Sequence, residues 1–272
     1  MSLDSVGRRA GRMSEKKSVL TVGAHADDVE FQIAGRLSLL VKAGFEPHIM
    51  TLAKCDLDSN EMPRQKIAKI RGQEAQRSAA VIGAVYHPAI VPDMMILYEN
   101  KTLRKVAAVV REVRPTIVLL PSLNDYMEDH MNTARLVVSA CFVHAMRNYV
   151  TDPPRDMSTQ DVFLYHAQPH SNRDGMRNFV IPELFVDITT EMDVKLKMLR
   201  CYENQWKWLK ETQGMDNFLD NMRRSCGELT GKAPRKGIEY AEGFRQHNHI
   251  GFSAEDGDPL SLALGDKVVR NR

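Results

Sequence analysis

The sequence predicts an α/β fold: a Rossmann-like, mostly parallel sheet flanked by helices, with an irregular C-terminal portion. Three observations carry this. Short apolar runs such as Ser18 to Gly23 (SVLTVG) and Thr116 to Leu120 (TIVLL) are bounded by glycine or proline, as strands buried on both faces are. Stretches of helical spacing lie between them and are long enough to serve as right-handed crossovers between parallel strands. Beyond Gly214 no clear period survives, and loops with short helices are expected to wrap the sheet there.

Taken in order, Ser18 to Gly23 is the first strand. Val29 to Ala43 repeats apolar residues at helical spacing (Ile33, Leu37, Leu40, Val41) and closes at Gly44. Pro47 to Leu52 is a second strand, Pro63 to Ile82 a charged amphipathic helix with proline at its start, and Val85 to Val91 a third strand. Leu103 to Val113 is a helix stopped by Arg114-Pro115, and Thr116 to Leu120 is the next strand. A polar loop, Pro121 to Met131, leads into a helix from Asn132 to Met146. In the second half Val162 to His166 and Phe185 to Ile188 read as short strands, and Glu191 to Lys210 as one long helix. No linker divides the chain, so residues 18–272 are expected to form one domain after a disordered or tag-like tail at 1–17.

Composition narrows the function classes. Among 272 residues, 37 basic and 35 acidic ones nearly cancel to a formal charge of +2, and no run of one sign gives a nucleic-acid footprint. The longest apolar stretches are far too short to span a bilayer, and residues 1–17 lack the apolar segment of a secretory signal. Cys55, Cys141, Cys201 and Cys226 are widely spaced, as reduced cytosolic thiols are. The expectation is a cytoplasmic protein, with self-association left open. Gly23-Ala24 lacks the glycine spacing of a dinucleotide site, and no nucleophilic serine or cysteine context stands out.

Two constellations carry chemistry. His25-Ala26-Asp27-Asp28 sits where the first strand ends and a helix begins, the edge at which open α/β sheets bind ligands. His25 and Asp28 could reach one divalent ion across the turn, leaving Asp27 free beside a water whose pKa the ion lowers towards roughly 7. The alternative is that Asp27 or Asp28 simply caps the helix, with Glu30 completing a capping box. The second constellation is the loop PSLNDYMEDHM, expected on the same sheet edge, from which His130 would supply a third ligand. Asp129 is the carboxylate expected to orient a ligand histidine; the alternative is a solvated polar loop.

These residues resemble a known family. Val22 to Glu30 (VGAHADDVE) is similar to the A-H-P-D-D-x-E signature of the LmbE-like, or PIG-L, zinc N-deacetylases. Asp129-His130 followed by Ala134-Arg135-Leu136-Val137 resembles that family's second motif, Arg71 and Glu74 match its R-x-x-E helix, and Phe185 to Gln205 looks like its closing strand and helix. The resemblance covers Ser18 to Trp208. It implies Zn2+ held by His25, Asp28 and His130, Asp27 as general base, and Arg71 in contact with substrate.

Two positions depart from the pattern. Ala26 replaces a proline that only stiffens the turn, whereas Met127 stands where the family often has a histidine that stabilises the oxyanion or protonates the leaving amine. Tyr126, His166, His170 and the pair His247 and His249 are the candidates for that vacant role. His170 ranks first as a catalytic group and His166 next, with Arg71, Tyr126 and Asp129 grouped as substrate-facing. Trp206 and Trp208 could stack on a sugar but are expected to pack on the core. The function expected is zinc-dependent removal of an N-acyl group, most simply acetyl, from an amino sugar or its conjugate. A metal-dependent hydratase of an unsaturated acid and a non-catalytic sugar- or metal-binding protein are the competing readings.

Overall fold

A computed structural model describes residues 17–214 and 217–271. Apart from Lys17, the expected tail lies outside the described residues. The strands are β1 (Ser18–Gly23), β2 (Glu46–Thr51), β3 (Val85–His87), β4 (Ile117–Leu120), β5 (Phe163–Ala167), β6 (Leu184–Asp187), β7 (Ala241–Gln246) and β8 (Val268–Arg270). They form one eight-stranded sheet in the order β3-β2-β1-β4-β5-β7-β6-β8. From β3 to β5 the pairs are parallel, while β7 and β8 run antiparallel to their neighbours. Every residue of β1 and β4 is buried, as strands covered by helices on both faces must be.

The helices are α1 (Asp28–Gln32), α2 (Ala34–Lys42), α3 (Arg64–Ala80), α4 (Asn100–Val113), α5 (Glu128–Val143), α6 (Met192–Leu199), α7 (Glu203–Gln213), α8 (Phe218–Thr230) and α9 (Pro259–Leu264). Two apolar layers lie against the sheet. One joins Leu37 and Leu40 to Leu196 and Leu199, and the other joins Val106 and Val110 to Leu136 and Val137.

The structure corrects several boundaries. The expected helix Val29 to Ala43 is two helices that meet at Ile33, whose φ of −133° leaves the helical region. The long helix Glu191 to Lys210 is likewise divided, at Tyr202. The helix after β4 begins at Glu128, so Asp129 and His130 occupy its first turn instead of a loop. The stretch beyond Gly214 contains the 13-residue α8 and, in β7, a strand inserted between β5 and β6. Apolar periodicity missed β7 because its buried polar residue, Glu242, is satisfied from elsewhere. Its carboxylate accepts from Lys195 Nζ at 2.6 Å and from the amides of Gly35 and Arg36 at 2.8 and 2.9 Å. Those amides are otherwise unsatisfied donors at the start of α2, where a negative charge is also favoured by the helix dipole.

Candidate active site

Gly23 pairs with Thr51 and Leu120 with His166, so the chain leaves β1 and β4 at the same edge of the sheet. Strand order reverses between β1 and β4, the crevice where this architecture places ligands. The turn after β1 is built by Asp28. Its Oδ2 accepts from the amides of Ala24 and His25 at 2.9 and 2.8 Å. A Cβ on Gly23 would lie 3.2 Å from that of Asp28, so the tight approach depends on glycine. Asp27 pays for this turn with a φ of 117°, a conformation that L-residues rarely hold outside functional sites. It makes no side-chain cap on α1, against the helix-capping alternative.

Opposite this turn, His130 projects from α5. Its Nε2 lies 3.4 Å from Asp28 Oδ1, and His25 Nδ1 lies 3.7 Å from Asp28 Oδ2. Ligand atoms of His25, Asp28 and His130 all fall within 4.8 Å of one another. Ligands about 2.1 Å from a tetrahedral Zn2+ stand roughly 3.4 Å apart, so this donor set fits a divalent ion with small adjustments. His25, Asp93 and Asp129 form a second group of that spacing. There His25 Nε2 stands 3.2 Å from Asp93 and 3.3 Å from Asp129, the arrangement by which carboxylates orient a ligand histidine.

The charges are mutually supporting. Burial opposes a proton on His130, yet Asp28 and Asp125 push its pKa up to about 10. Burial opposes one on His25 as well, and Asp129, Asp28 and Asp93 still hold its pKa well above the ordinary value. Burial works against the Asp28 anion, but the facing histidines hold its carboxyl well below the usual range. A field that binds protons so firmly is the field a cation would meet, and the two compete for the same nitrogen lone pairs. Asp27 behaves oppositely. Burial raises its pKa well above the usual carboxylate range, opposed by Arg71 and assisted by Asp28 and Asp58. Burial also pushes Asp58 up to about 6.

These residues open into a cavity of about 630 Å3. Its described lining includes the carboxylates Asp27, Asp28, Asp58 and Asp93, with Phe31, Met94, Tyr126, Trp208 and Phe218 on the apolar side, and no lysine or arginine.

Comparison with known proteins bears on this arrangement. Residues 20–141, which span both halves of the site, match the family described as PIG-L, GlcNAc-PI de-N-acetylase. This segment is similar to the PIG-L family. Among curated proteins the chain is similar to 4-oxalmesaconate hydratase of Pseudomonas putida, 27% identical over 241 residues that cover 85% of this chain and 89% of that one. It is also similar to diacetylchitobiose deacetylase of Thermococcus kodakarensis, 24% identical over 244 residues and covering 86% of each. Among solved structures, N,N'-diacetylchitobiose deacetylase from Pyrococcus horikoshii superposes with a TM-score of 0.71 at 20% identity, covering 88% of this chain and 86% of that one.

Within and beyond the PIG-L segment, the structure sorts the expected residues. His25, Asp27, Asp28, His130, Tyr126 and His170 all line the cavity. His170 packs its ring against Phe31 at 5.0 Å and Tyr126 at 6.0 Å, and burial lowers its pKa. His166 does not join them. Its Nδ1 bonds to the Pro121 carbonyl and its Nε2 to His247 Nδ1, at 2.9 and 3.0 Å, beside a different cavity. His166 lies within β5, and both its ring nitrogens are taken up by Pro121 and His247, away from the donor set. Arg71, expected to touch substrate, is 1% exposed. Its guanidinium donates to the Ala26 carbonyl and to Glu74, pairs with Asp58 at 3.1 Å and lies 3.8 Å from Asp27. It therefore supports the turn from beneath. Asp129, expected to face substrate, is not among the described cavity lining; it lies against His25 Nε2 and accepts from the Met94 amide at 3.0 Å. Trp208 lines the cavity while packing on the core, and Trp206 is exposed.

Sequence reading missed Asp93, Asp58 and Asp125. Asp125 lay in the quoted loop, five residues before His130, and that spacing on a helix start was the available signal. Asp93 and Asp58 gave none, since they come from loops whose path only the fold determines.

Proposed function

We propose that this protein is a metal-dependent N-deacylase that removes an acetyl group from a neutral or amine-bearing sugar conjugate. Zn2+ is the ion best suited to the imidazole and carboxylate donors of His25, Asp28 and His130. When bound, it supplies Lewis acidity toward the amide carbonyl and an acidified water. Asp27, buried beside that position with a raised affinity for protons, accepts one from the attacking water and returns it to the departing amine. The His170 imidazole, kept neutral by burial, donates an N–H to the developing oxyanion in place of the histidine absent at Met127. Tyr126 and Trp208 give the sugar ring flat apolar faces.

The observation that carries deacylation over hydration is the cavity's charge. With four carboxylates and no lysine or arginine among its described lining residues, the cavity offers no guanidinium or ammonium to pair with an unsaturated polycarboxylate, which favours an uncharged amide. The carboxylates also stabilise the ammonium product. That the chain resembles both a deacetylase and a hydratase makes this the deciding difference.

The test is to load the purified protein with Zn2+ and supply N-acetylglucosamine conjugates and unsaturated polycarboxylic acids in parallel. Acetate and free amine should appear from the former, and Asp27→Asn should abolish turnover with the Zn2+ retained. Hydration of the acids without acetate release would overturn the assignment. Full activity of Asp27→Asn would remove Asp27 from its role.

A further inference from the structure

We infer that Asp125 is a positioning residue that couples the metal-ligating face of His130 to the placement of His170. This rests on the reading of His25, Asp28 and His130 as the metal ligands. The Asp125 side chain is 1% exposed, and each of its oxygens is engaged with a different part of the site. Oδ1 lies 3.0 Å from His130 Nδ1 and accepts from the Met127 amide at 3.2 Å. Oδ2 accepts from the His170 amide at 3.1 Å.

A carboxylate oxygen is an acceptor, so His130 Nδ1 is the donor in this contact. Nε2 then faces Asp28, 3.4 Å from its Oδ1, and is the nitrogen that would ligate an ion once its proton is displaced. The other oxygen fixes a segment that would not stay in place unaided. Ser171 and Asn172, just after His170, have φ of 61° and 59°. Neither is glycine, and this backbone needs external support. Asn172 supplies one anchor by donating to the Ser225 carbonyl and Glu228 on α8, at 3.0 and 3.1 Å. Asp125 supplies another, at His170 itself. A cation drawing on His130 Nε2 makes Nδ1–H a stronger donor, which tightens the same carboxylate that holds His170.

The prediction is a paired effect. In Asp125→Asn the new amide nitrogen cannot accept, so one of the two contacts is lost, and in Asp125→Ala both are. Zn2+ affinity, measured by chelator competition, should fall by about 10–100-fold, as it does when outer partners of ligand histidines are removed. At saturating Zn2+, carbethoxylation of His170 by diethyl pyrocarbonate, followed by peptide mass, should be about tenfold faster than in wild type, as loss of one charge-assisted hydrogen bond allows. Unchanged affinity in both variants, or unchanged His170 reactivity at saturation, overturns the proposal. Should either variant fail to fold, hydrogen exchange in the wild type decides: the His170 amide should be protected, and more so with Zn2+. Exchange at the rate of an open loop overturns the coupling. A wild type that shows these effects but releases no acetate removes the deacylase assignment and leaves the coupling standing.

Discussion

Asp129 Oδ2 lies 3.3 Å from His25 Nε2, joining two residues 104 positions apart in the chain. Through it the first turn of α5 orients a side chain from the turn after β1, so both halves of the donor set depend on the pairing of β1 with β4. Asp129→Asn leaves the volume unchanged but weakens the acceptor for the His25 N–H. Zn2+ affinity should fall by about 10–100-fold. Chelator competition measures it, and wild-type affinity in the variant would show that Asp93 alone orients His25.

Arg71→Lys keeps the charge and loses the planar fork that reaches Ala26, Asp58 and Glu74 together. With Asp27 no longer held from below, kcat should drop by about 100-fold, the cost of a shift near 1 Å at a reacting group. Metal content should stay stoichiometric, because none of the ligands touches Arg71. A rise in KM with kcat intact would instead restore Arg71 as a substrate contact.

Arg36 is fully buried over the Phe244 ring, and its three guanidinium nitrogens have no hydrogen-bond partner among the described residues. Burial drives its pKa well below the usual arginine value, opposed by the nearby Glu242. Arg36→Met replaces a buried cation that lacks hydrogen bonds among the described residues by an apolar side chain of similar length. It should stabilise the protein by about 1–4 kcal/mol, read as a higher urea midpoint at unchanged slope. A lower midpoint would mean that an unseen anion or water satisfies the guanidinium.

Burial pushes the pKa of His166 down to about 4, from 6.5 in an unfolded chain. The folded state thus favours neutral imidazole. Its contribution is complete above pH 6.5 and is lost as the pH falls toward 4, amounting to roughly 3 kcal/mol at about 1.4 kcal/mol per unit. The loss of Tm between pH 7 and pH 4.5 should therefore be smaller in His166→Phe than in wild type. Parallel curves would sink this account.

Much of the fold was written in local patterns. SVLTVG and TIVLL announced buried strands, and HADD after the first of them marked a turn whose His25 and Asp28 the structure groups with His130 at metal-ligating spacing. Strand β7 escaped because AEGFRQ carries a charge where a core strand should be apolar. That charge is tolerable only beside Lys195 and the start of α2, neither of which is near in sequence. His166 and His170 were both candidates, His170 ranked first, and the partners that separate them come from the loop 121–127.

The sequence by itself determined the residue types that can ligate an ion and the periodicities that build a parallel sheet, because both depend on near neighbours. Tertiary structure decided which carboxylate serves which histidine: Asp125 for His130, Asp129 and Asp93 for His25, Arg71 beneath Asp27. The reason is one of range. A hydrogen bond is settled within about 3 Å, and at that scale partners come from whichever loops the sheet brings to its edge.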